Sequence, residues 1–101
     1  MTATDWAPDA IELLQRNAAA NGLPLRAEVR DWREPWEARF DLALAADVLY
    51  ERRNVEPLYE CLSRLAPTAY VGLAGRPYED LFLRLVHAKE VARRVVRIDF
   101  A

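Results

Sequence analysis

The run Phe40-Asp41-Leu42-Ala43-Leu44-Ala45-Ala46, almost wholly apolar and stopped by Asp47, constrains this chain more than any other segment. It is too short for a typical helix and lacks the alternation of a strand with one wet face. It therefore reads as a central strand buried on both faces, as in a parallel sheet covered by helices. The segments around it fit that frame. Thr2 to Thr4 is a brief β-prone run ending in Asp5-Trp6. Pro8 suits the first turn of a helix and Asp9 its positive end. Ala10, Ile11, Leu14 and Ala18 then share one helical face until Asn21-Gly22 supplies the stop.

Further on, Leu25, Ala27, Val29 and Asp31 alternate with Arg26, Glu28 and Arg30, the period of a half-exposed strand. Asn54 is placed to cap a helix in which Val55, Leu58, Leu62 and Leu65 repeat on one face up to Pro67. Ala69 to Ala74 reads as a second buried strand, followed by the turn Gly75-Arg76-Pro77. A helix with Leu81, Leu85 and Ala88 on one stripe, flanked by Phe82, Val86 and Lys89, comes next. A last half-exposed strand spans Val91 to Phe100. The predicted order is β-α-β-β-α-β-α-β, an α/β fold with a mainly parallel sheet.

Composition narrows the function classes. With 101 residues the chain has the length of one domain. The 14 basic and 16 acidic residues are well mixed and give a net charge of −2, so no basic stripe exists for nucleic acid. Cys61 is the single cysteine and His87 the single histidine, too few for a zinc site. No run is long enough to cross a bilayer and no secretory signal opens the chain, so the cytoplasm is the expected compartment.

In open parallel sheets, ligands bind beyond the carboxyl ends of the strands. Asp5, Asp31 and Asp47 each close an apolar strand, and each is followed within three residues by an aromatic: Trp6, Trp32 and Tyr50. Carboxylates there can accept hydrogen bonds from ribose hydroxyls or an exocyclic amine, beside a surface that covers an adenine face. The plainer alternative is that each acid caps or shapes the turn that follows it, Asp5 before the Pro8 helix above all.

The series Thr2-Ala3-Thr4-Asp5, Asn17-Ala18-Ala19-Ala20-Asn21-Gly22, Asp31-Trp32 and Phe40 to Glu51 resembles class I S-adenosylmethionine-dependent methyltransferases. The likeness is to their lysine-methyltransferase-like, nicotinamide N-methylase-like branch, with Asp47-Val48-Leu49-Tyr50-Glu51 its most telling motif. Gly75-Arg76-Pro77 and the helix carrying Phe82 add to the likeness, which runs from about Met1 to Val86. The resemblance implies a partial, Rossmann-like methyltransferase domain over residues 1–101. In it Asp5 would hold the ribose hydroxyls with Trp6 over the adenosine, and Asp31 the adenine amine with Trp32 beside the ring. Ala46 and Asp47 would lie at the methyl-donating end of the cofactor, S-adenosylmethionine. Asp47 would also meet the acceptor nitrogen, and Tyr50 would line the acceptor channel. The acceptor would be a protein lysine or a small-molecule amine.

One departure from the pattern qualifies this. The branch has a first strand running into a Gly-x-Gly turn, whereas the three glycines here are Gly22, Gly72 and Gly75. The first strand is therefore expected to be missing, with the reading frame starting upstream of Met1. In the branch's sheet order that strand lies between the Thr2–Thr4 and Phe40–Ala46 strands. Without it they must pair directly or leave backbone groups unsatisfied. The expected consequences are weak or absent cofactor binding by the chain alone, and a homodimer or pairing with a separately supplied N-terminal segment. Two other readings stay open: a degenerate scaffold serving as an interaction or dimerisation module, and a different nucleotide-binding α/β protein.

Overall fold

The computed structural model describes residues 1–100, which divide into two units, Met1–Glu34 and the residues from Pro35 onward. In the first unit, β1 (Thr2–Asp5) and β2 (Arg26–Val29) pair in parallel, with Thr2 opposite Arg26 and Asp5 opposite Val29. They are joined by α1 (Pro8–Ala20), which carries Pro at its start and Asp9 in its first turn. A helix is the expected crossover between parallel neighbours, since a hairpin cannot reverse direction twice. Ile11 and Ala18 are the buried positions of α1. The turn Asn21-Gly22 ends the helix with Gly22 at φ 62°, in the left-handed region that glycine enters without a Cβ penalty.

The second unit holds a four-stranded sheet. Its strands are β3 (Ala43–Ala46), β4 (Thr68–Gly72), β5 (Ala88–Ala92) and β6 (Val95–Asp99), in the order β3-β4-β6-β5. A 3-10 turn (Arg52–Asn54) leads into α2 (Val55–Leu65), and a short α3 (Glu79–Leu83) follows β4. The buried side chains of α2 are Val55, Leu58, Leu62 and Leu65, the stripe its spacing predicts. Period-two alternation shows plainly in β4 and β6. Ala69 lies opposite Ile98 and Val71 opposite Val96, all four buried. On the other face Tyr70 lies opposite Arg97, whose guanidinium sits 6.0 Å from the ring centroid. Beside it the Thr68 hydroxyl donates to Asp99 at 2.8 Å. Phe82, Leu49 and Leu58 complete the set of fully enclosed large side chains with Ile98 and Val71.

Three expectations are corrected. The helix read as far as Ala88 and Lys89 stops at Leu83, and Ala88–Ala92 instead forms β5, hairpinned onto β6 through Arg93-Arg94 with Arg94 at φ 58°. A helical apolar stripe and strand alternation are hard to tell apart over so few residues, and the pairing with β6 decides between them. That hairpin also makes the sheet mixed, because β6 runs antiparallel to β4. Lastly, β3 is an outer strand with a half-buried and exposed alternation, not a strand buried on both faces; Leu44 is 67% exposed. Its apolar sequence reports what the strand can bury, not that a neighbour is present.

Candidate functional site

The two acids of the first unit stand at the carboxyl ends of adjacent parallel strands. Asp5 ends β1; Asp31 follows β2 by two residues, and the Arg30 N–H donates to the Asp5 carbonyl at 3.0 Å, carrying the ladder past the strand. The two carboxylates share one tie, and the Oδ1 of Asp31 has a second, an ion pair with the Arg33 guanidinium at 3.4 Å. Asp5 Oδ1 accepts from the Ala7 N–H at 2.9 Å, and Asp31 Oδ1 accepts from the Arg33 N–H at 2.9 Å, each two residues on. This side-chain turn is the plainer role foreseen for such acids. It engages one oxygen of each carboxylate, and Oδ2 of each makes no hydrogen bond among the described residues. An acid can therefore shape its turn and still accept a ligand hydroxyl or amine. Trp6 is 67% exposed and Trp32 half-buried, so both indoles are open to contact.

The second unit presents Asp47 at the carboxyl end of β3, which runs parallel to β4. Its φ is 50°, a left-handed conformation uncommon for a residue with a side chain, and strain of this kind concentrates where function demands a fixed geometry. The Asp47 N–H donates to the Gly72 carbonyl at 3.2 Å. Gly72 lies opposite Ala46, and a Cβ added there would sit 3.3 Å from the Ala46 Cβ, so the strands approach closely just below the acid. Tyr50 is 43% exposed, while Leu49 between the two is buried.

Sequence reasoning missed the partner of Asp47. Arg76, read as a turn residue, donates from Nε to Oδ1 at 2.9 Å and from Nη2 to Oδ2 at 3.0 Å, a two-pronged pairing that fixes the plane of the carboxylate. These hydrogen bonds hold the Asp47 carboxyl below its ordinary value of 3.8, with the charge of Arg76 adding to them. Asp47 is thus a carboxylate at neutral pH and a poor proton acceptor; its chemistry is to orient and to balance charge. The turn Gly75-Arg76-Pro77 after a strand was the available signal, since a loop at a strand end aims its side chains at the neighbouring strand end. An open groove of about 830 Å³, lined by Arg52, Arg53, Val55, Leu81, Arg84 and Leu85, begins two residues past Tyr50.

No group of His, Cys, Asp and Glu among the described residues is arranged to hold a metal ion. No helix among them is long and apolar enough to cross a membrane. For a nucleoside-bearing cofactor the donor set does fit: two carboxylates with an unengaged oxygen each, on neighbouring strand ends, beside two accessible indoles.

Comparisons with known proteins bear on the fold and the family. The chain is similar over 98% of its length to a crystal structure of the PH0226 protein from Pyrococcus horikoshii OT3, at a TM-score of 0.73 and 13% identity, covering 70% of that chain. It is similar over 96% of its length to a crystal structure of a putative methyltransferase from Pseudomonas syringae, at a TM-score of 0.58 and 16% identity, covering 69% of that chain. At such identities these likenesses speak for the fold. A search of curated proteins gave no match. Residues 1–81, most of the chain, match the family described as Lysine methyltransferase. With its mixed α/β fold and acid-tipped parallel strands, the chain belongs to the Lysine methyltransferase family of class I methyltransferases.

Proposed function

We propose that this chain is the cofactor-gripping and acceptor-orienting part of an S-adenosylmethionine-dependent N-methyltransferase acting on a protein lysine or a small-molecule amine. The observation that carries the reading is the pair Asp5 and Asp31 at adjacent parallel strand ends, each bound to its turn through Oδ1 and each beside a tryptophan. Asp5 and Trp6 would take the ribose and one adenosine face, Asp31 and Trp32 the adenine amine and ring edge. Ala46 and Asp47 would lie toward the sulfonium end. The cofactor, when bound, supplies an electrophilic methyl group.

The chain's own part is alignment and electrostatics. Asp47, held ionised by Arg76, orients an incoming amine by accepting its N–H. It does not act as the base, because a carboxyl with a lowered pKa has little affinity for the proton. Tyr50 borders the acceptor path. Cofactor affinity of the chain alone is expected to be weak, since none of its three glycines forms a Gly-x-Gly cradle.

The test is a nuclear magnetic resonance titration with S-adenosylhomocysteine. The indole N–H signals of Trp6 and Trp32 are expected to shift with weaker than micromolar affinity, and Asp5→Ala or Asp31→Ala to abolish the shifts. Shifts produced by ATP or NAD but not by S-adenosylhomocysteine would transfer the site to another nucleotide class. A second reading, a scaffold that pairs with itself or with a separate segment, is favoured by outer strand β3, where Leu42 and Leu44 are exposed. Sedimentation of the purified chain separates monomer from dimer.

A further inference from the structure

Glu79 is a buried carboxylate that the reading above leaves without a task. It is 7% exposed and opens α3, yet it does not serve its own helix. Both of its oxygens turn back onto the preceding loop. Oε2 accepts from the Ala74 N–H at 2.7 Å and Oε1 from the Gly75 N–H at 3.1 Å. The Glu79 N–H closes the ring by donating to the Arg76 carbonyl at 3.3 Å. A charged group is costly to bury unless hydrogen-bonded, and here the donors are successive amides of one turn.

That turn needs holding. Gly75 sits at φ 81° and has no side chain to anchor it. Rotation there would swing Arg76 away, and a two-pronged pairing tolerates little displacement because the guanidinium fork is rigid. Asp47 is gripped twice from this side: by the Gly72 carbonyl at the end of β4 on its backbone N–H, and by Arg76 of the loop on its carboxylate. From behind, the Leu73 N–H donates to the Arg94 carbonyl in the β5–β6 turn at 2.7 Å. The loop is fixed on both sides of Gly75: the Glu79 carboxylate holds the Ala74 and Gly75 amides, and the Glu79 N–H holds the Arg76 carbonyl.

We infer that Glu79 is a positioning residue: it locks the Ala74–Arg76 turn so that Arg76 presents its guanidinium edge to Asp47 and sets the direction in which that carboxylate faces the acceptor amine. The acceptor clause rests on the proposed function; the Glu79–Arg76–Asp47 linkage does not.

The experiment reads the linkage directly, on the chain without cofactor or acceptor. The Nε–H resonance of Arg76, identified by its response to Asp47→Asn, reports the pairing by its position and its solvent exchange. Glu79→Gln keeps the volume but puts an amide N–H against a backbone N–H, so one of the two clamping bonds is lost. The expected result is a move of the Arg76 signal toward that of free arginine, with exchange about tenfold faster. The Phe82 and Ile98 amide signals should stay in place. If Glu79→Gln does not fold, Glu79→Asp, which keeps the charge but falls a methylene short, is read by the same criterion. An Arg76 resonance whose position and exchange rate match wild type in a folded variant overturns the inference. Because neither S-adenosylhomocysteine nor an amine enters the experiment, its outcome is independent of the titration that tests the methyltransferase reading.

Discussion

Removal of the Phe82 ring is expected to destabilise the second unit strongly. Phe82 is fully enclosed and is the one apolar residue that the five-residue α3 buries completely. Replacing such a ring with alanine costs about 3–5 kcal/mol, the sum of lost transfer energy and the cavity left behind. A unit the size of residues 35–101 has about 3–10 kcal/mol of stability in all, at roughly 0.05–0.15 kcal/mol per residue. Phe82→Ala therefore consumes between about a third and the whole of the margin, whereas Phe82→Leu, which keeps most of the volume, should cost about 1.5 kcal/mol or less. Equilibrium urea unfolding followed by circular dichroism separates the cases. With a slope of about 1 kcal/mol per molar urea, Phe82→Leu lowers the midpoint by roughly 1.5 M or less, and Phe82→Ala by roughly 3 M or more. Leu44→Ala, at a side chain that is 67% exposed, serves as the control and should stay within about 0.5 kcal/mol of wild type. A Phe82→Ala protein whose midpoint lies within about 0.5 M of wild type would refute the claim that α3 is held by this contact.

The remaining expectations are briefer. Asp47 and Asp99 both have carboxyls held below 3.8, by Arg76 in one case and in the other by the Thr68 hydroxyl and then Arg97. Because the folded value lies below the unfolded one, the stability they contribute is present above about 3.8 and is lost as pH falls through their folded values. Melting temperature should drop in that acid window, and less steeply in Asp99→Asn; equal slopes would remove Asp99 from the account. Gly75→Ala places a side chain at φ 81° and should destabilise by about 1–2 kcal/mol in urea unfolding, an unchanged midpoint speaking against the left-handed turn. Burial pushes the Cys61 thiol up, with Arg64 opposing in part, so iodoacetamide at pH 8 should alkylate it about tenfold more slowly than a free thiol. Labelling as fast as that of glutathione would show the thiol to be open to water.

Much of this structure could be read from periodicity because strong patterns lie where local and tertiary preference agree. The α2 stripe of Val55, Leu58, Leu62 and Leu65 is buried as spaced, and Pro67 follows its end. Pro8 opens α1 and Gly22 closes it for reasons confined to a few residues. The failures are where a partner decides. Ala88 and Lys89 were legible as the end of a helix, and only the antiparallel register with β6 makes Ala88–Ala92 a strand. The apolarity of Phe40–Ala46 could not tell that β3 has a single neighbour. The acids at strand ends were visible one by one, as Asp5, Asp31 and Asp47. The Arg76–Asp47 pair was not, because residues so far apart in sequence are joined only by the crossover from β3 to β4. Glu79 was hidden for the same reason: a glutamate at a helix start ordinarily faces water, and its burial against a preceding turn has no signature in spacing.

The hairpin that ends the chain has a consequence for self-association. Every residue of β5 is exposed, Lys89 and Glu90 occupy its middle, and its register with β6 slips between Glu90 and Ala92. Charge and a bulge on a sheet border both repel an incoming strand. Stacking of copies into fibres is therefore obstructed along that margin, while the opposite margin at Ala43–Ala46 carries Leu44 and no ionic guard. Heat-induced clumping of this protein has its natural starting point there, and a charged side chain grafted onto Leu44 is the simplest change that would suppress it.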